Sequence, residues 1–127
     1  MWISYFRGED NPEADLLSEA LERDEDVCIS GIILTEVLQG IRHDAEYQTV
    51  RLALEKLILL PMPNKAYLLA ADIYRQARLG GETVRNTIDC LIAACAITHH
   101  VWLVQRDKDF EVIARYSKLK LVRAGQQ

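Results

Sequence analysis

Asp89 is the residue of this sequence whose surroundings point most strongly to chemistry. It is the only formally charged residue from position 86 to position 105, and it stands at the start of the apolar run 88–97. A carboxylate in such a segment is costly unless it is paired, hydrogen-bonded or bound to a metal ion. It could instead lie in the first turn of a helix capped by Asn86 or Thr87, where the helix dipole favours a negative charge. The spacing alone leaves both interpretations open.

Three further carboxylates are candidates for the same site. Glu36 is flanked by apolar residues on a predicted helix that follows a strand, although an exposed Glu on an amphipathic helix is ordinary. Asp107 and Asp109 come directly after the predicted strand 101–104, and parallel sheets bind ligands beyond the carboxyl ends of their strands. One of the two could merely cap the next helix, and Asp109 is favoured as the cap because Phe110 begins the apolar pattern.

These side chains must be positioned by alternating strands and helices. The apolar spacing predicts four strands, at 27–30, 57–60, 101–104 and 119–122. It also predicts a helix that opens at Asn11-Pro12 and further helices at 31–42, 47–57, 64–79, 86–98 and 110–116. Such alternation predicts an α/β fold, a parallel central sheet covered by helices on both faces in a three-layer α/β/α sandwich. We expect one domain spanning residues 1–127, since half of the residues are apolar and no segment resembles a linker.

Composition also limits the class of protein. Apolar runs are far shorter than the roughly 20 residues of a membrane span, so we expect a cytoplasmic protein without a membrane partner. Cys28, Cys90 and Cys95 sit among apolar residues and are expected to be buried, reduced thiols. The net charge of −4 argues against a protein that simply coats nucleic acid. It does not exclude a nuclease that holds cations with carboxylates.

Three runs of the sequence together resemble the acidic motifs of PIN-domain ribonucleases of the VapC toxin type: 33–40 around Glu36, 87–94 around Asp89, and 107–110 with Asp107 and Asp109. The resemblance implies a PIN-like fold in which Glu36, Asp89 and Asp107 are the catalytic residues and hold Mg²⁺ or Mn²⁺, supported by Asp109 and Thr87. Hard cations of this kind prefer oxygen ligands. The implied reaction is metal-assisted hydrolysis of RNA phosphodiester bonds. Arg85 or Arg106 could contact phosphate, although a solvated surface position is favoured for each.

The resemblance also implies partners. They are an RNA substrate, a cognate antitoxin protein and a second copy of the chain in a homodimer, for which the helical segment 66–77 is one candidate face. Proteins of this type open with a strand that ends in a metal-binding Asp, followed by a segment similar to residues 2–8. We therefore expect that first strand and that Asp to be missing here, owing to a start assigned too late.

Two other functions compete with the ribonuclease. A decayed toxin of the same fold, catalytically impaired, would retain only antitoxin binding, and metal-dependent cleavage separates it from the enzyme. A phospho-acceptor receiver domain also gathers acidic residues at strand ends. It is disfavoured because the sequence lacks an acidic pair after an early strand and a Lys near Val104.

Overall fold

The computed structural model describes residues 27–104 and 107–122. The predicted helix that opens at Asn11, the segment 2–8 and the expectations for Arg106 lie outside the described residues.

The first described strand leads directly into a helix. Strand β1 spans Cys28–Ser30 and is buried along its whole length, and helix α1 spans Gly31–Gln39. The Ser30 hydroxyl accepts a hydrogen bond from the Ile33 backbone N–H at 3.1 Å, which satisfies one of the free donors at the start of the helix. The helix ends three residues earlier than predicted because Gly40 forms its C-cap.

The second strand lies parallel to the first. Helix α2 spans Asp44–Glu55, and strand β2 spans Ile58–Leu60. Strand β2 pairs with β1 in parallel register, with Ile29 opposite Leu59. Helix α2 starts three residues before the predicted position, because Asp44 and Glu46 in its first turn interact favourably with the helix dipole.

Two long helices form the centre of the molecule. Helix α3 spans Asn64–Leu79, as predicted, and helix α4 spans Thr87–Thr98. They form the most extensive helix–helix contact of the described chain. Helix α4 is buried on nearly all sides, as its almost uninterrupted apolar sequence requires.

Helix α3 is amphipathic, and its small residues face the core. Ala66, Ala70, Ile73 and Ala77 are all buried within the chain, so the segment 66–77 does not offer them as a dimer face. The exposed apolar side chains of this helix are instead Tyr67, Leu68 and Leu79. The helical period places these two sets on different faces, and only tertiary packing decides which one is covered.

The last elements contain less strand than predicted. The segments 101–104 and 119–122 meet at a single parallel bridge between Leu103 and Leu121. In this bridge Leu103 donates to the Lys120 carbonyl and accepts from the Val122 N–H, both at 2.9 Å. Helix α5 spans Lys108–Arg115 and buries Phe110 and Ile113.

One apolar core connects these elements, running from Ile29 in β1 through helices α3 and α4 to Phe110 in α5. The three cysteines are free and buried, as predicted. No helix within residues 27–104 and 107–122 has the length and apolar character needed to cross a membrane. The parallel pairings alternate with helices along the chain, which confirms the predicted α/β class.

Candidate metal and active site

Helix α4 fixes Asp89 through its cap. The Asn86 side chain accepts a hydrogen bond from the Ile88 N–H at 2.9 Å, so the helix begins at Thr87 and Asp89 lies in its first turn. Asp89 is only 9% exposed. The carboxylate therefore stands in the first turn at the positive end of the helix, as one interpretation predicted, and it is also buried, so its function stays a prediction.

Helix α5 brings two more carboxylates to the same place. Asp107 is the N-cap of this helix, and its side chain accepts a hydrogen bond from the Asp109 N–H at 2.9 Å. The prediction that Asp109 caps the helix is wrong. Asp109 lies in the first turn and is 7% exposed, whereas Asp107 is exposed. Capping by Asp107 starts the helix early enough for Phe110 to enter the core while Asp109 turns towards α4.

Asp89, Asp107 and Asp109 form one acidic cluster. Each contributes a carboxylate oxygen, and these oxygens all lie within 4.8 Å of one another. We call this group the acidic cluster. In the sequence, Asp89 lies 18 residues before Asp107 and 20 residues before Asp109. Asp109, which the sequence suggested only as a supporting residue, belongs to the cluster in the same way as the other two.

The pKa of Asp89 reflects both its burial and the neighbouring carboxylates. It is raised from its ordinary 3.8 to about 6, chiefly because the carboxyl is buried and in addition because the carboxylates of Asp107, Asp109 and Glu36 repel its negative charge. A hydrogen bond with the Asp109 side chain adds to the shift. Holding a negative charge on Asp89 therefore costs free energy unless a positive charge joins the site.

The remaining predicted site residues lie around this cluster. Glu36, in the middle of α1 and partly buried, is close enough to raise the pKa of Asp89 but is not one of the three clustered carboxylates. Thr87 is the first residue of α4 and is exposed. Arg85 lies just before the α4 cap, and its Nε donates to the Asp109 carboxylate at 3.4 Å.

The chemistry of the donor set fits a hard divalent cation. All ligand atoms offered are carboxylate oxygens, which Mg²⁺ and Mn²⁺ prefer, and no sulfur or imidazole belongs to the group within the described chain. A cation here would also favour the charged form of Asp89, whose pKa is raised by burial and by repulsion from the neighbouring carboxylates. The residues therefore suit the kind of metal that the sequence motifs imply.

The fold and this site agree with the comparison to known protein families. A family model described as PIN domain matches residues 1–116. This match defines the chain as a PIN-domain protein, the class whose acidic motifs the sequence resembles.

Comparison with individual proteins narrows this class. Ribonuclease VapC11 of Mycobacterium tuberculosis is 40% identical to the chain over 124 residues, which cover 94% of this chain and 90% of that protein. The chain therefore belongs to the PIN-domain family, among the VapC ribonucleases.

Solved structures share the fold at lower identity. VapBC-1 from nontypeable Haemophilus influenzae matches with a TM-score of 0.70 and 18% identity, covering 94% of this chain and 90% of that one. VapBC2 from Rickettsia felis, solved bound to a DNA fragment from their promoter, matches with a TM-score of 0.69 and 22% identity, covering 88% and 85%. At these identities the likeness supports the fold alone, a PIN-like α/β sandwich.

Proposed function

We propose that the chain is the ribonuclease toxin of a type II toxin–antitoxin pair and hydrolyses RNA phosphodiester bonds with the help of Mg²⁺ or Mn²⁺. The observation that carries the proposal is the acidic cluster, whose three carboxylate oxygens lie within 4.8 Å of one another. The 40% identity to a ribonuclease over nearly the whole chain supports RNA as the substrate.

The acidic cluster supplies the ligands for the cation. Asp89 and Asp107 would hold it through carboxylate oxygens, with Asp109 as a further ligand or as a support for the other two. When bound, the divalent cation supplies Lewis acidity for hydrolysis and neutralises charge on the attacked phosphate and the leaving oxygen. The protein keeps these carboxylates fixed because they lie at the capped first turns of helices α4 and α5.

Glu36 contributes a fourth carboxylate from helix α1. Its carboxylate either orients the attacking water and accepts its proton or shares the metal ion as another ligand. Its position is suited to either role, because it is partly buried and close enough to influence the pKa of Asp89. Proton acceptance by a carboxylate in such a setting is ordinary general-base catalysis.

The partners follow from the same site. We expect an antitoxin to block this negatively charged site with a basic side chain, because such a side chain forms charge-assisted hydrogen bonds with carboxylates. Similarity to the fold of VapBC-1 and VapBC2 supports an antitoxin partner. We also propose a homodimer, for which the exposed Tyr67 of α3 and Leu59 of β2, which line one pocket, and the exposed Leu68 of α3 supply apolar surface.

RNA cleavage with and without Mn²⁺ tests the proposed activity. The full chain should cleave single-stranded RNA in Mn²⁺ and stop when EDTA is added. Asp89→Asn should lower the rate by two orders of magnitude or more, because the buried ligand loses its charge. Asp72→Asn is the matched control, because Asp72 is an exposed residue of helix α3 and lies outside the acidic cluster.

Two results would contradict the proposal. Cleavage that survives EDTA and Asp89→Asn would point to a contaminating nuclease or to another site. A pure, folded chain that binds Mn²⁺ but cleaves no RNA would leave only antitoxin binding as the function.

A further inference from the structure

We propose that Arg85 is a substrate-binding residue, held at the rim of the acidic cluster by Asp109, and that its guanidinium contacts a phosphate of the RNA chain. This inference rests on the proposed ribonuclease function, because it assigns a role in binding the substrate of that same site.

Arg85 combines one contact to the acidic cluster with wide exposure to solvent. Its Nε lies 3.4 Å from the Asp109 Oδ1, while its side chain is 75% exposed and that of Asp109 only 10%. Among residues 27–104 and 107–122, this is the one hydrogen bond that the guanidinium makes. The amino groups beyond Nε are therefore available to a ligand that approaches the site from solvent.

The main chain on both sides of Arg85 is fixed. Val84 is buried in the core, and Asn86 caps helix α4 with its side chain. Upstream, Glu82 forms an ion pair with Arg115 of helix α5. The loop that carries Arg85 is thus anchored to the same helix that carries Asp109, so little backbone entropy remains to be lost when the guanidinium binds a phosphate.

Electrostatics explains why a substrate needs such a residue here. RNA is a chain of negative charges, and it must approach three carboxylates whose oxygens lie within 4.8 Å of one another. An Arg at the rim supplies positive charge next to these carboxylates. Its planar fork of donors matches the geometry of a phosphate, which a Lys ammonium does not.

The contact to Asp109 is better suited to orienting Arg85 than to stabilising the fold. It is long for a charge-assisted hydrogen bond, and one partner is largely solvated, conditions under which ion pairs contribute little to stability. A cation held by the acidic cluster would compete with Arg85 for Asp109.

The alternative is that Arg85 only positions Asp109 for metal binding, and the two roles differ in their effect on the metal. Replacing a positioning residue weakens cation binding. Replacing a phosphate-binding residue leaves it unchanged or strengthens it, because a positive charge near the cation has been removed.

The test compares Arg85→Gln and Arg85→Lys with Arg51→Gln in the full chain. Arg51 is the matched control, because it is also an exposed Arg paired with one carboxylate, that of Glu55 on helix α2. Three quantities are measured for each variant: affinity for a fluorescein-labelled single-stranded RNA in Ca²⁺, RNA cleavage in Mn²⁺, and Mn²⁺ affinity from electron paramagnetic resonance. Thermal unfolding checks that each variant is folded.

Arg85→Gln should weaken RNA binding by about ten- to a hundredfold and lower the slope of log affinity against log salt by about 0.7, the value for one phosphate of a single strand. Its Mn²⁺ affinity should not fall. Arg85→Lys should recover only part of the RNA affinity, and Arg51→Gln should match the unmodified protein in all three measurements.

The outcomes separate this inference from the proposed function. Normal RNA affinity in Arg85→Gln overturns the inference even if the protein cleaves RNA, and so does a fall in Mn²⁺ affinity that matches the loss of RNA binding. A protein that binds RNA through Arg85 but does not cleave it overturns the ribonuclease proposal alone. A protein that binds no RNA overturns both.

Discussion

The Asp107 side chain accepts a hydrogen bond from the Asp109 backbone N–H at 2.9 Å, so a single carboxylate caps helix α5 and also belongs to the acidic cluster. Capping and cation binding need different properties of this side chain. A cap needs only an oxygen acceptor, which Asn supplies as well as Asp, whereas a cation needs the negative charge.

Substitutions at position 107 should therefore separate stability from metal binding. Asp107→Asn should leave the free energy of unfolding in EDTA nearly unchanged but weaken Mn²⁺ binding at least tenfold. Asp107→Ala should weaken Mn²⁺ binding similarly and also destabilise the protein by about 1 kcal/mol through loss of the cap. Urea unfolding and calorimetric Mn²⁺ titration measure the two effects. Equal stability of the Asn and Ala variants would show that the cap contributes nothing.

Removing the charge of Asp89 should stabilise the metal-free protein. The folded-state pKa is about 6, against an ordinary value of 3.8, so the folded chain binds this proton more tightly than the unfolded chain does. Stability of the unmodified protein in EDTA should therefore fall as the pH rises from about 4 to about 6. Asp89→Asn escapes this loss and should be more stable above pH 6 by about 1 to 3 kcal/mol.

Urea unfolding across this pH range checks the expectation, with Asp72→Asn as the control. The difference between Asp89→Asn and the unmodified chain should be small near pH 4 and level off above pH 6. A difference that does not change with pH would mean that Asp89 is not charged at a cost in the folded protein.

Metal binding should show the opposite dependence on pH. A cation competes with the proton on Asp89, so Mn²⁺ affinity should be full above about pH 6 and fall by up to about tenfold per pH unit below it. At a concentration 100 times the dissociation constant, Mn²⁺ should stabilise the fold by about 2.7 kcal/mol. Thermal unfolding with Mn²⁺ or EDTA at several pH values measures this. Stabilisation that persists unchanged at pH 4.5, or in Asp89→Asn, would place the ion elsewhere.

Two glycines should respond oppositely to replacement by Ala. Gly81, just beyond helix α3, has a φ of +85°, which side chains rarely adopt, so Gly81→Ala should destabilise the protein by about 1 to 2 kcal/mol. Gly31 is the first residue of helix α1, and a Cβ added there would meet nothing within 4 Å. Gly31→Ala should stabilise by about 0.4 to 1 kcal/mol, because it restricts the unfolded chain. Urea unfolding of both variants gives the two signs directly, and a stabilising Gly81→Ala would contradict the assigned turn.

Local sequence signals predicted the elements that depend on local interactions. Helix α3 has the predicted bounds, because Pro63 fixes the backbone before its first turn and Gly80 follows its last. The buried strand β1 and the cap of helix α4 at Asn86 were also predictable. The strand prediction for 101–104 was less successful, since an apolar run promotes burial whether or not it acquires a full row of strand partners.

For the functional site, the sequence by itself determined which residues are acidic and that Asp89 had to carry its charge in an apolar helix. It did not determine which aspartate caps helix α5, because Asp107 and Asp109 have the same intrinsic preference for that position. The tertiary structure decided this by burying Phe110, and it brought Asp109 and the exposed Arg85 together across 24 residues. The physical reason is that capping and periodicity act within a few residues, whereas the repulsion that defines the acidic cluster exists only once packing has set the distances between its carboxylates.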